Sequence, residues 1–228
     1  MMKKIVDSIK LNQAKRKHFT WVGVEVFIKD EITNKEVSVQ NALKEILKRI
    51  PKHFLVNLDT LYIGDFEFLN NREVQAMYEN SSIFITNRQD DEEDMIDDII
   101  HEIAHSLEEV YSREIYEDGK LEKEFLQKRK NLYQLISAEG FDVSINDFLK
   151  TEYSKEFDNF LYQEVGYSFL SMLSSGLYYS PYAATSLREY FANGFEALYC
   201  HRDSDFLNTS CPVLFNKLII LFNMEDLS

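Results

Sequence analysis

The sequence predicts an α+β fold: a small mixed sheet in the N-terminal half, a long mid-chain helix, and a mostly helical C-terminal half. Two patterns lead there. Short runs before residue 90 alternate apolar and polar side chains with the period of a strand, whereas later runs repeat apolar residues at three- and four-residue spacing. With only seven Gly and three Pro in 228 residues, the elements should be long and the loops plain.

Residues 1–18 are basic and weakly amphipathic (Lys3, Lys4, Lys10, Lys15, Arg16, Lys17) and predict a short leading helix. From Phe19 to Lys29, Val22, Val24, Val26 and Ile28 alternate with Gly23, Glu25 and Phe27, which predicts a strand. Val39, Ala42, Leu43, Ile46, Leu47 and Ile50 lie at helical spacing within Glu36–Ile50, and Pro51 closes that helix. Phe54 to Phe68 reads as one or two strands around Asn57 and Gly64, and Glu73–Tyr78 as a short helix or strand. Asn80-Ser81-Ser82 turns into a strand at Ile83–Thr86. At a sheet edge that strand could take up an extended peptide through main-chain hydrogen bonds; inside the sheet it would be an ordinary strand.

The stripe Ile96, Ile99, Ile100, Ile103, Ala104 and Leu107 predicts a helix through Asp90–Val110, unbroken by Gly or Pro. Its opening run, Asp90-Asp91-Glu92-Glu93-Asp94, suits the positive end of a helix dipole. Beyond it, roughly 119–137, 145–177 with interruptions, 184–200 and 212–223 are helical in pattern. The charge-rich stretch from Tyr111 to Gly140 opens a candidate helical insertion over 111–180 in a single domain of 1–228.

Composition narrows the functional classes. Apolar residues at 45% and aromatics at 14%, over this length, support a packed core. No run reaches the length of a membrane span, and the first residues lack the apolar run of a secretory signal, so a cytoplasmic location is expected. A net charge of −14 opposes nucleic-acid phosphate and anionic lipid. Any electrostatic preference should therefore be for basic or neutral partners, with no nucleic acid and no membrane; oligomeric state is open. Cys200 and Cys211 are too few for a disulfide scaffold and are expected as reduced thiols.

The chemistry concentrates in His101-Glu102-Ile103-Ala104-His105. Histidines four apart on a helix point about 40° from one another around the axis, so both imidazoles can reach one metal ion. Zn2+ accepts neutral imidazole and keeps a position for water when the protein supplies three ligands. Glu102, on the neighbouring face, can take a proton from that water, the arrangement of a zinc hydrolase.

A third ligand must come from elsewhere. A histidine six positions after the motif, preceded by a helix-breaking glycine, would mark one large protease group, but Ser106-Leu107-Glu108-Glu109-Val110 offers neither. Glu108 lies one turn beyond His105 and reads as a supporting or surface residue. The better candidate is Glu189, on the apolar helix pattern of Leu187, Tyr190, Phe191, Phe195 and Leu198. A carboxylate buried there is costly unless paired or bound to metal. Seven residues before it, after Ser180-Pro181, stands Tyr182, whose phenol could donate to a developing oxyanion. His201 is a rival ligand. Cys200, His201 and Cys211 fit no familiar zinc-finger spacing, and His18 and His53 have no partner motif and read as surface residues.

His-Glu-x-x-His, followed by a Tyr seven residues before a Glu that opens Glu-Tyr-Phe-Ala, resembles the zinc peptidases of the anthrax lethal factor catalytic-domain type. The Pro-Pro endopeptidases belong to the same group. The resemblance spans Ile83 to Leu198 and is concentrated in two short motifs. It implies a zincin-like metallopeptidase domain in which His101, His105 and Glu189 hold zinc, Glu102 is the general base and Tyr182 assists the oxyanion. The implied activity is a zinc-dependent metalloprotease, an endopeptidase hydrolysing internal peptide bonds. The alternatives are a zincin-fold binding module without turnover, or a regulatory intracellular peptidase with a single protein target. The chain departs from the family where a second Glu often follows the ligand by four residues; here Asn193 and Gly194 stand.

Overall fold

The computed structural model describes residues 17–224 and is α+β, with a five-stranded mixed sheet followed by helices. Most of the expected leading helix lies outside the described residues; its last two positions, Lys17 and His18, belong to a strand. The chain divides into two compact units, Met1–Leu107 and Glu108–Ser228.

In the first unit, β1 (Lys17–Trp21) and β2 (Val24–Ile28) form an antiparallel hairpin where the alternation predicts one strand. Val22 and Gly23 sit at φ 49° and 89°. Two successive left-handed residues make a turn whose twist matches that of its strands, and Gly23 adopts it without the Cβ penalty. The next stretch holds a 3-10 turn (Lys52–Leu55), then β3 (Thr60–Gly64) and the start of an unpredicted short helix.

The sheet order is β1-β2-β3-β5-β4, where β4 is Ala76–Glu79 and β5 is Ser82–Thr86. β3 runs parallel to both β2 and β5, and β4 is antiparallel to β5. The Ile83 strand is therefore interior, and β4 takes the edge instead. Asn80 and Ser81, at φ 49° and 57°, fold β4 back along β5 as a hairpin. One sheet face is apolar: Val24, Val26, Leu61, Ile63, Ile83 and Ile85 are almost wholly buried, each worth about 1.5–3 kcal/mol of transfer free energy. On the other face, stacked rings cross the strands from His18 through Phe27 and Tyr62 to Phe84.

α1 (Val39–Arg49) starts at Ser38, whose hydroxyl accepts from Asn41 N. α2 is Glu67–Arg72, ended by Glu73 at φ 58°. α3 (Glu92–Val110) carries the histidine motif on one uninterrupted helix, as its periodicity predicts. Met95, Ile96, Ile99, Ile100, Ile103, Ala104 and Leu107 are at most 1% exposed. The acidic run does more than meet the dipole. Asp91 accepts from Asp94 N at 2.9 Å, Glu92 accepts from Ser38 N at 3.0 Å, and Glu93 pairs with Arg49 at 2.6 Å. These contacts tie the start of α3 to α1.

The second unit is helical: α4 (Ser112–Tyr116), α5 (Lys120–Ala138), α6 (Ile145–Phe148) and α7 (Lys155–Asn159) come first. A π-helical stretch (Phe160–Gly166) leads into α8 (Tyr167–Leu173), and a 3-10 turn (Pro181–Ala184) precedes α9 (Leu187–Tyr199). α10 (Ser204–Ser210) and α11 (Pro212–Phe222) close the unit. α5 packs on α9 and α11, so the 111–180 stretch shares a core with the helices that follow it. Gly194 lets α9 and α11 approach: a Cβ there would meet Leu214 Cδ2 at 2.3 Å. Arg129, 1% exposed, donates to the carbonyls of Phe148, Ala184, Asp147 and Lys150, binding α5 to the end of α6 and to the 3-10 turn before α9.

Candidate metal centre

In the first unit, α3 presents His101 and His105 one turn apart, with ring centroids 5.0 Å apart and planes at 76°. His105 is 8% exposed and His101 half-buried, so neither is a freely solvated surface histidine. Imidazole nitrogens are suitable donors for zinc, and the i,i+4 geometry turns both rings to one side of the helix.

Glu102 is buried, and its Oε2 accepts from the amide of Tyr78 on the edge strand β4 at 2.6 Å. Register explains why that amide is available. Thr86 N donates to Gln75 O, and the pairs continue as Met77 with Phe84 and Glu79 with Ser82. The residues between them, Ala76 and Tyr78, thus turn their main-chain groups away from β5. Tyr78 is also held by its side chain, whose hydroxyl accepts from Asn57 Nδ2 at 2.8 Å and from Ser81 N at 3.2 Å.

Asp98 lies one turn before His101 and Glu102. Burial raises its carboxyl pKa to about 7 against a hydrogen bond from Gln89 at 3.1 Å; Asp94 and Glu102 raise it further, and His101 lowers it. In the sequence Asp98 is one more carboxylate among the acidic first turns of α3. Its i,i+3 spacing to His101 was the available signal.

In the second unit, Glu189 occupies the first turn of α9. Ser186 caps that helix, its hydroxyl accepting from Glu189 N at 3.1 Å. Ser186-Leu187-Arg188-Glu189 is thus a capping sequence as well as part of the recognised motif, a helix-start signal readable from spacing alone. Tyr182 lies in the 3-10 turn just before, its carbonyl accepting from Thr185 N and Oγ1. Asn193 has a structural part: buried, it accepts from Ser180 Oγ and so anchors the segment entering the Tyr182 turn.

Glu108 is not a surface residue. At 7% exposure it accepts from Tyr116 Oη and, at 3.0 Å, from Arg188 Nε. Burial, then the charge of Glu108, pushes the Tyr116 phenol far above its usual range, with Glu189 adding to the rise. Glu108, Tyr116, Arg188 and Glu189 are therefore one electrostatic group. Its Glu108 end lies on α3, one turn after His105.

The remaining candidates have other partners. His201 is exposed, pairs with Glu196 at 3.6 Å and stacks on Tyr179. His18 pairs with Glu25 and stacks on Phe27, while His53 packs edge-on against Phe54. Cys200 and Cys211 stand as thiols, Cys200 half-buried and Cys211 buried. No protein-family model, curated protein or solved structure matches the chain.

Proposed function

We propose that this chain is a zinc-dependent endopeptidase of zincin-like fold, with His101, His105 and Glu189 as the metal-holding residues. The ligand atoms would be one imidazole nitrogen from each histidine and a carboxylate oxygen from Glu189. The observation that carries the reading is the pair of imidazoles 5.0 Å apart on α3, with Glu102 between them in sequence held against an edge-strand amide. That donor set fits zinc in chemistry and in number. For Glu189 the support is the Arg188–Glu108 ion pair, which ties the residue beside it to the turn of α3 that follows His105.

Zinc would supply a water of lowered pKa and polarise the scissile carbonyl. The remaining steps belong to the chain. Glu102 takes the proton of the attacking water on one carboxylate oxygen while the Tyr78 amide steadies the other, then delivers it to the leaving amine. Tyr182 donates a hydrogen bond to the developing oxyanion. With the Tyr78 amide given to Glu102, the outward main-chain groups of Ala76 are what β4 offers an extended peptide for its register beside that carboxylate. The substrate class is thus a polypeptide in strand conformation.

Metal analysis of the purified protein, together with digestion of a peptide library by wild type and Glu102→Gln, tests the reading. Near-stoichiometric zinc in both, with cleavage by wild type only, is expected. Cleavage by both would remove Glu102 as base. Zinc without cleavage by either would leave a binding module, and absence of zinc would end the metal reading.

A further inference from the structure

Three tyrosines gather round one carboxylate in the second unit. Asp158, half-buried on α7, accepts from Tyr153 Oη on one oxygen at 2.8 Å and from Tyr167 Oη on the other at 2.7 Å. The ring of Tyr162 meets that of Tyr167 edge-on, with centroids 5.1 Å apart and planes at 76°. On an α-helix, residues five apart point about 140° from one another and their rings would not meet. Tyr162 instead lies on the π-helical stretch, which Gly166 at φ 81° closes just before Tyr167. Such wider turns are uncommon and are frequent at functional sites.

The cluster is anionic and open to a ligand. Tyr153 and Tyr162 are 50% and 60% exposed. Burial, then the hydrogen bond to Asp158, pushes the Tyr153 phenol up to about 12, and the same causes push the Tyr167 phenol above its usual range. Both phenols therefore stay neutral: they orient the Asp158 carboxylate without cancelling its charge. A carboxylate has about four acceptor positions, and the phenols use two. Among the described residues no lysine, arginine or histidine forms an ion pair with Asp158.

Its place in the unit is beside Glu189 and Tyr182. Leu187 N donates to Thr151 O at 2.8 Å, which holds the chain just before Tyr153 against the start of α9, two residues ahead of Glu189. Arg129 grips Lys150 O and Ala184 O, tying the same segment to the Tyr182 turn, and α8 packs on that turn. The charge of Glu189 is felt at Tyr153, and Tyr182 is felt at Tyr167. Ring faces attract a cation through their quadrupole, and a carboxylate among them adds a charge-assisted hydrogen bond. An apolar side chain would use the rings alone and leave the Asp158 charge unanswered. We propose that Tyr153, Tyr162, Tyr167 and Asp158 form a subsite for a lysine or arginine side chain of the polypeptide substrate. The inference rests on the peptidase reading for calling that polypeptide a substrate; the binding itself requires no turnover.

The experiment is fluorescence anisotropy of the full chain carrying Glu102→Gln, so that nothing is cleaved. The probes are labelled alanine–serine peptides in which lysine, arginine or norleucine is placed at each position in turn. At one position a cation should bind about tenfold tighter than norleucine, the scale of one charge-assisted contact. The tighter of lysine and arginine identifies the head group. Asp158→Asn, which keeps the shape of the side chain, should erase that preference. Tyr162→Leu, an exposed change, should reduce it about two- to fivefold, and Tyr162→Phe, which keeps the ring, should restore it. If Asp158→Asn fails to fold, the Tyr162 pair decides. No position that favours a cation, or a preference unchanged in Asp158→Asn or in Tyr162→Leu, overturns the proposal. Cation preference in this protein, with no cleavage of the same peptides by the zinc-loaded wild type, would support the subsite and sink the peptidase reading alone.

Discussion

The backbone amide of Tyr78 and the Oε2 atom of Glu102 are 2.6 Å apart, so the edge strand β4 and the motif carboxylate meet through one hydrogen bond. Glu102→Gln keeps an oxygen to accept from that amide, whereas Glu102→Ala leaves the donor without its partner. Both should lose about 100- to 10,000-fold in peptide hydrolysis, the range of a lost general base. Only the alanine variant should also lose about 1–3 kcal/mol of stability. Urea unfolding of the two variants side by side separates the roles; equal stability would mean the contact contributes nothing to the fold.

Tyr182→Phe removes a hydroxyl and little else from a turn held by Thr185, Asn193 and Arg129. Zinc content and melting temperature should match wild type, while kcat falls about 10- to 1,000-fold with KM little changed, as for loss of one oxyanion donor. A rise in KM at unchanged kcat would instead make Tyr182 a substrate-binding residue.

Asp98 links stability to pH. The folded protein keeps its proton up to about pH 7, whereas an unfolded aspartate releases it near its ordinary value of 3.8. Its contribution is therefore full below about pH 4 and is lost as pH rises through 7. Asp98→Asn removes the titration, so in metal-free protein the variant should gain on wild type between pH 4 and pH 8, by about 4 kcal/mol at most. Denaturant midpoints across that range check it. A stability difference that stays flat with pH would show that Asp98 already carries its charge in the fold.

Gly194→Ala tests the close approach of α9 and α11. The new methyl would lie 2.3 Å from Leu214 Cδ2, and Leu214 is itself buried at 1% exposure, with little room to yield. A loss of about 1–3 kcal/mol is expected from overpacking. Adding Leu214→Ala should cost less in the Gly194→Ala background than in wild type, a coupling that thermal unfolding of the four proteins would measure. Strict additivity would rule out the clash.

How much of the site could be read in advance depended on distance along the chain. His101 and His105 share a helix face because four residues make little more than one turn, and the apolar stripe around them is equally local; both were legible. The commitment of Glu108 was not. Its partner Arg188 lies 80 residues away, and a carboxylate one turn past the motif looks the same in sequence whether solvated or buried. The displacement of the Ile83 strand from the edge has the same origin. Its residues specify a strand, but the neighbours of that strand were chosen by the hairpin at Asn80–Ser81 and the parallel pairing with β3.

By itself the sequence determined an α+β chain with strands first, an unbroken mid-chain helix, and two imidazoles on one side of it. These follow from periodicity, which acts over a turn or two. The tertiary structure alone decided that β4 lies at an edge of the sheet, that its Tyr78 amide meets Glu102, and that Asn193 and Gly194 serve packing within the helical unit. Such contacts join residues far apart in the chain, and burial and hydrogen-bond satisfaction across the whole fold select them.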